Sequence, residues 1–141
     1  MMDWIETNKG VVFPWHCDFN NHMNVMHYVG KFDEATWHLF AQAGINRSYM
    51  TQTGIGMVAV DQHIQYFQEF LPGDLIVVRS RFREVKNSSI HFAHRMYHFG
   101  QAEAAAECRL VGVHIDAESR KSIPFPEHIR KKLEQLTSGK K

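Results

Sequence analysis

The sequence predicts an α+β fold in which an antiparallel sheet curls around one long central helix. Three observations carry that reading. One segment, 25–43, repeats its apolar residues at helical spacing. Four later segments alternate apolar and polar residues over strand lengths. Short turns join those four, which makes neighbouring strands antiparallel and leaves the apolar helix a sheet face to pack on. The 141 residues fit one domain, 1–141, with an ordered part of about 10–136.

The elements follow in order. Gly10-Val11-Val12-Phe13-Pro14-Trp15 reads as a short first strand, with Pro14 at its end or on an edge. His16 to Asn24 is polar and rich in Asn and His, a turn composition. Val25, Val29, Phe32, Thr36, Leu39, Phe40 and Ala43 then recur at helical spacing. Asn24 stands at the N-cap, and Gly44 stands where a left-handed residue ends a helix. Tyr28, Phe32, Trp37 and Phe40 mark this helix as mostly buried, with Trp37 in the core. Strands follow over 56–70, 75–85, 89–99 and 103–115, separated by Leu71-Pro72-Gly73-Asp74, Asn87-Ser88 and Gly100. Pro124 and Pro126 introduce a short helix with Ile129, Leu133 and Leu136 on one face, and 137–141 read as a frayed tail.

Composition narrows the function. Hydrophobic residues make up 44% and charged residues 22%, an ordinary globular balance. A net charge of +1 supplies no basic field, so nucleic acid is not expected as a partner. Cys17 and Cys108 form neither a disulfide framework nor a thiolate zinc site, which suggests a reducing setting. The N-terminus lacks a signal-peptide pattern, and no apolar run approaches the roughly 18 residues that cross a bilayer. A cytoplasmic protein without a membrane partner is expected. The ten histidines do not imply a metal. On a strand, His91 faces away from His94 and His98, and those two lie roughly 13 Å apart at about 3.3 Å per residue. Zinc needs ligands at about 2 Å.

The stretch that carries chemistry is Asp18-Phe-Asn-Asn-His22-Met-Asn24-Val25-Met26-His-Tyr28. It places a carboxylate just ahead of a helix start, where unbonded N–H groups favour an anion or a polarised carbonyl oxygen. Acyl transfer needs a nucleophile or base and oxyanion donors converging on one carbonyl. Asp18 fits the first part, and the N–H groups of Val25 and Met26 fit the second. On spacing alone, capping by Asp18 and Asn24 is the better explanation, because it is the commonest use of such residues before a helix.

The segment resembles the hotdog-fold acyl-CoA thioesterases of the 4-hydroxybenzoyl-CoA thioesterase type, whose pattern runs roughly D-x-x-G-H-x-N-N-x-x-Y. Asp18, His22, Asn24 and Tyr28 stand at the matching steps. Tyr66, Gly73-Asp74, Ser89 and the closing Asp116…Pro124-Phe-Pro126 look like family features in family order. Asn21 stands where the family has Gly, Val25 where it has a second Asn, and His16 where many relatives have a first Asp. Phe67-Gln68-Glu69 replace a basic residue or Pro.

The resemblance implies acyl-CoA hydrolysis with Asp18 as nucleophile or general base, and it places His22 and Asn24 with Asp18 among the catalytic residues. It implies no cofactor beyond the coenzyme A of the substrate. It also implies homodimers or homotetramers in which the partner's long strand completes each site. That strand would bring Gln62, His63 or Tyr66 toward the acyl group, beside Tyr28. Arg79, Arg81 and Arg83 alternate on the second long strand, as a solvated face or as contacts to coenzyme A phosphates. Aromatic residues such as Trp15, Tyr66, Phe67 and Tyr97 suit an aryl acyl group or a quaternary ammonium group. Two other functions fit the same fold: an acyl-CoA hydratase or dehydratase using Asp18 with His22, and a non-catalytic acyl-CoA-binding module.

Overall fold

A computed structural model describes residues 4–138. Strand β1 (Ile5–Val11) leads through a short 3₁₀ turn (Pro14–His16) to helix α1 (Val25–Gln42) and helix α2 (Arg47–Thr53). Strands β2 (Ile55–Tyr66), β3 (Leu75–Val85), β4 (Ser89–His98) and β5 (Ala106–Asp116) follow, then helix α3 (Glu127–Ser138). The five strands form one antiparallel sheet in the order β1-β3-β4-β5-β2. Helix α1 lies against one face of it.

Helix α1 forms where the apolar period predicts it. The Asn24 side chain accepts a hydrogen bond from the Met26 N–H (2.9 Å), and Gly44, at φ 87°, follows its last turn. Its buried stripe is Tyr28, Phe32, Ala35, Thr36, Leu39 and Phe40. Phe40 meets Phe92 at 5.2 Å between ring centroids. The helix packs so closely that a Cβ on Gly112 would lie 3.3 Å from Phe92 and 3.5 Å from Met57 and Phe40. Glycine at 112 therefore sets the spacing between helix and sheet.

Several boundaries differ from the sequence expectation. The first strand lies earlier, over Ile5–Val11, and Pro14 and Trp15 belong to the 3₁₀ turn. Pro14 has no N–H for a ladder and its fixed φ suits a tight turn. Strand β2 stops at Tyr66 because the Phe67 and Gln68 N–H groups both turn to the Ala105 carbonyl (2.8 and 3.0 Å). Strand β5 begins at Ala106, not at 103. Helix α2 was not expected: seven residues hold no apolar period, though Asn46 caps it and Gly54, at φ 71°, ends it. Thr137 is helical rather than frayed, and 139–141 lie outside the described residues. Helix α1 is buried on one face, not mostly buried. Trp37 is 41% exposed, and Val25, Met26 and Val29 also face outward.

Two register slips matter. In β2, Ala59 pairs with Gly112 and Asp61 with Val111, so Val60 forms a bulge. Beyond it Gln62, Ile64 and Tyr66 share the helix side with Leu110, Cys108 and Ala106, while Asp61 and His63 point to the outer face. In β3 a slip between Phe82 and Glu84 puts Arg83 in a bulge.

A chain of polar groups crosses the core beside the middle of α1. Thr36 Oγ1 donates to the Phe32 carbonyl (3.0 Å) and meets His94 Nε2 at 2.8 Å. His94 Nδ1 meets Ser80 Oγ at 2.5 Å, and Ser80 Oγ meets Thr7 Oγ1 at 2.7 Å. The Thr36 bond to Phe32 is shorter than the bond from Thr7 Oγ1 to the Val78 carbonyl (3.3 Å), which favours a His94 that donates from Nε2 and accepts at Nδ1 from Ser80, with Thr7 donating to Ser80. His94 and Ser80 are fully buried. Burial drives the His94 pKa down to about 3, so the ring is neutral.

Candidate active site

The site is a folded-back loop ahead of α1. The Asn24 N–H donates to the His16 carbonyl (2.9 Å), Cys17 bridges Met23, and the Asp18 N–H donates to the His22 carbonyl (3.2 Å). At the tip, Asn21 takes φ 66° and donates to the Asp18 carbonyl (2.9 Å). Asn tolerates that left-handed backbone better than other non-glycine residues, so the tight turn closes without a glycine. The Met23 N–H donates to the Phe70 carbonyl (2.8 Å), and buried Met23 and Phe70 anchor the loop to the segment after β2.

This folding presents the Asp18 carboxylate in a defined way. Its Oδ2 accepts from Asn24 Nδ2 (2.8 Å), and its Oδ1 accepts from the Asn20 N–H (2.8 Å). Those two bonds hold the carboxyl below its usual range, with a smaller contribution from His22. Asn24 works in both directions, since its Oδ1 takes the Met26 N–H while its amide holds Asp18. The Met26 N–H is thus occupied. Among the described residues, the Val25 N–H at the helix start has no hydrogen-bond partner.

The other expected residues separate into groups. His22 lies beside the loop, with Nε2 3.6 Å from Glu69 and Nδ1 3.4 Å from the Met23 carbonyl, rather than on the Asp18 carboxylate. Tyr28 meets Tyr66 edge-on at 4.9 Å and donates to the Gln68 carbonyl (3.4 Å). Burial, with Tyr66 and Glu69 nearby, raises its pKa to about 12, so it stays a protonated donor. Gln62 shares the helix-side face of β2 with Tyr66, whereas His63 lies on the outer face. Arg79 and Arg81 also lie on the outer face, opposite α1, with Arg83 in its bulge.

Two contributors were not anticipated. Asn20 supplies the N–H that holds Asp18, and its signal is the Asp-x-Asn spacing of an Asx turn. Glu69 faces His22 from a segment read as strand. Aromatic residues rim the loop. Phe13 and Trp15 stack at 4.8 Å, His16 sits 5.7 Å from Phe13, and His16 meets His27 at 4.6 Å. Burial, then His27 and Lys31, lowers the His16 pKa and so favours its neutral form. Trp15 is 72% exposed and Phe19 is fully exposed. Tyr97 lies under Arg79 on the outer face, away from this rim. Burial raises the Cys108 thiol to about 12, which makes it inert. Among the described residues, no group of three His, Cys, Asp or Glu side chains could hold a metal. No described helix is long and apolar enough to cross a membrane.

A curled five-stranded antiparallel sheet around a helix that starts beside a carboxylate is the hotdog architecture of thioester hydrolases. The chain belongs to the thioesterase-like superfamily, whose family model matches residues 12–133. A betainyl-CoA thioesterase of Pseudomonas aeruginosa is 23% identical over 139 residues, covering 99% of this chain and 87% of that protein. An L-carnitine dehydrogenase/betainyl-CoA thioesterase of Rhizobium meliloti is 25% identical over 122 residues. That match covers 86% of this chain and 24% of the relative, so this chain spans about a quarter of the larger protein's length. Among solved structures, a Staphylococcus aureus protein in complex with CoA superposes with a TM-score of 0.89 at 17% identity, over 100% of this chain and 89% of that one. A 1,4-dihydroxy-2-naphthoyl-CoA thioesterase from Synechocystis gives 0.80 at 15% identity, over 95% and 98%.

Proposed function

We propose that this chain hydrolyses acyl-CoA thioesters to free acid and coenzyme A, with Asp18 as the reacting carboxylate. The observation that carries the reading is the Asn24 bridge, which ties the Asp18 carboxylate to the Met26 N–H at the start of α1. In this reading the thioester carbonyl oxygen accepts from Val25 at the positive end of α1. Asp18 attacks the carbonyl carbon, the C–S bond breaks, and coenzyme A leaves as thiolate. Water then cleaves the resulting anhydride and returns the carboxylate. Activation of water by Asp18 is the alternative. A carboxyl held below its usual pKa is a weak base but stays ionised, which favours attack. Repeated turnover in oxygen-18 water tests this, because direct attack leaves label in Asp18 and base catalysis does not.

The acyl group we infer is betainyl, a small group bearing a quaternary ammonium. Its positive charge lies two bonds from the carbonyl carbon, so a bound betainyl group would hold it close to Asp18. The exposed faces of Phe13 and Trp15 supply aromatic surface of the kind that attracts such cations. Betainyl-CoA and its neutral isostere 3,3-dimethylbutyryl-CoA have nearly the same shape. A clear preference for betainyl-CoA supports the assignment, and preference for long straight chains would sink it. Hydration of an enoyl thioester is disfavoured because His22 pairs with Glu69 rather than with Asp18.

The site is completed, in this reading, by a second copy of the chain. Strand β2 is a 12-residue edge of the sheet, and Val25, Met26 and Val29 expose apolar surface on α1. Pairing of two β2 edges would bring the second copy's strand to the Asp18 loop. Sedimentation of a monomer at assay concentration that still turns over would refute this part.

A further inference from the structure

The outer face of the sheet carries a second cluster of functional groups that hydrolysis at Asp18 does not use. The ladder sets Arg81 opposite Ala93, Ala93 opposite Arg109, and Arg109 opposite His63. Arg81 and Arg109 therefore flank Ala93 from strands about 10 Å apart, at about 4.8 Å per strand. Ala93 is 3% exposed and too small to fill the gap, so it forms the floor of a depression. Two adjoining cavities, of about 440 and 270 Å³, open there, and both are lined by Arg81, Arg83 and Arg109.

The charges in this depression are unbalanced. Glu107 is taken by Arg95 at 2.8 Å and reaches Arg109 only at 3.5 Å. Asp61 and Glu84 touch the rim of the larger cavity. Among the described residues, neither they nor any other carboxylate lies within 4.0 Å of Arg81 or Arg83. Arg81 Nε is buried without a hydrogen-bond partner. Trp4 holds the cluster in place, with Arg95 over its ring at 4.3 Å and Arg81 at 5.4 Å. Arginines stacked on an aromatic ring keep their donor edges free for an anion. Burial and the neighbouring Arg83 and Arg95 also lower the Arg81 pKa, the signature of a cation short of a counter-charge.

We propose that Arg81, Arg83 and Arg109 form a binding site for a small diphosphate-bearing ligand, seated over Ala93 on the face of the sheet opposite α1. Arg81 and Arg83, which have no ion-pair partner among the described residues, and Arg109, which shares Glu107, offer guanidinium donors to the oxygens of a diphosphate, and the four arginines lining the cavities outnumber Asp61, Glu84 and Glu107 by one. Linked phosphates can also place one anion against each wall of the depression. Nucleoside diphosphates and coenzyme A both carry this group. The inference does not depend on the hydrolytic reading, because it concerns binding on the opposite face.

Calorimetric titration of the full chain with inorganic pyrophosphate, at fixed ionic strength, tests the proposal. Pyrophosphate should bind once per chain, and its affinity should fall with added salt. Arg109→Gln should weaken binding by about tenfold or more, the usual scale for a lost charged hydrogen bond. Ala93→Glu, which puts a carboxylate on the floor, should abolish it. Circular dichroism and a cooperative urea transition would show that both variants fold. Displacement by ADP identifies a nucleotide as the source, and displacement by coenzyme A that Ala93→Glu removes identifies the coenzyme. Wild-type protein that binds pyrophosphate no better than sulfate, or a folded Ala93→Glu or Arg109→Gln variant that binds it as wild type does, would overturn the assignment.

Discussion

Helix α1 touches two hydrogen-bonded chains, one at its start and one at its middle. At the start, Met26 N–H, Asn24 and Asp18 run out to solvent and end in a charge. At the middle, Thr36, His94, Ser80 and Thr7 run through the core and carry none. Each chain is directional, and each fixes a titratable group by its neighbours. Exposure decides the outcome. The open chain stabilises the ionised form of Asp18, and the sealed one penalises the ionised form of His94. A charged group and a neutral one are thus tied to the same helix from two depths, Asp18 through its cap and His94 through its buried face.

The largest effect should come from the end of the open chain. Asp18→Asn should lower turnover by about a thousandfold or more, as loss of a nucleophile commonly does, with unchanged circular dichroism. Wild-type rates on the best acyl-CoA would end the catalytic assignment.

The second prediction separates the two chains by pH. His94 has a folded pKa of about 3, below the free value of 6.5. In that window the unfolded chain binds a proton that the folded chain refuses. Stability is therefore complete above pH 6.5 and falls on acidification toward pH 3, by up to about 1.4 kcal/mol per pH unit. Asp18 has the opposite sense of linkage, because the fold favours its charged form. Its contribution is present above its free value of 3.8 and is lost below it. Acid inactivation between pH 6.5 and 4 should therefore follow unfolding seen by circular dichroism. Inactivation with the fold intact would contradict the assignment to His94.

Ser80→Ala removes the donor to His94 Nδ1 in the sealed chain. Urea denaturation should register a loss of roughly 1–3 kcal/mol, the cost of an unsatisfied buried acceptor. Asn24→Ala cuts the open chain at its centre. It should cost about 1 kcal/mol as a lost cap, while turnover falls more than stability does because Asp18 loses its positioning bond. The smallest effect belongs to the loop tip: Asn21→Gly should change stability by less than about 1 kcal/mol and leave turnover near wild type.

How much of this the sequence discloses depends on the range of the forces involved. The span of α1, its Asn24 cap and the bounds of β3 are local, so period and capping chemistry reveal them. Asp18 is legible for the same reason, because its partners Asn20 and Asn24 lie within six residues. The sealed chain was not legible. His94 was weighed as a metal ligand, and nothing near it in sequence points to Thr7 or Thr36. Trp37 misled because an aromatic residue on an apolar helix usually packs inward, and here only one face is covered. The outer arginines were visible as an alternating stripe, but the small floor at Ala93 and the commitment of Glu107 to Arg95 depend on neighbouring strands.

Val60 has a consequence that reaches beyond its own position. Strands carry a two-beat rhythm, and the bulge at Val60 inserts half a cycle. Everything after it in β2 is read in inverted phase: Tyr66 reaches Tyr28, and His63 joins the arginine face. Pairing the strand straight through, with Val60 opposite Val111, would exchange the two messages without changing a single amino acid. Tyr66 would then belong to the charged face and His63 to the helix side. Which side chains meet the helix and which meet the arginines is thus written partly as a count of residues.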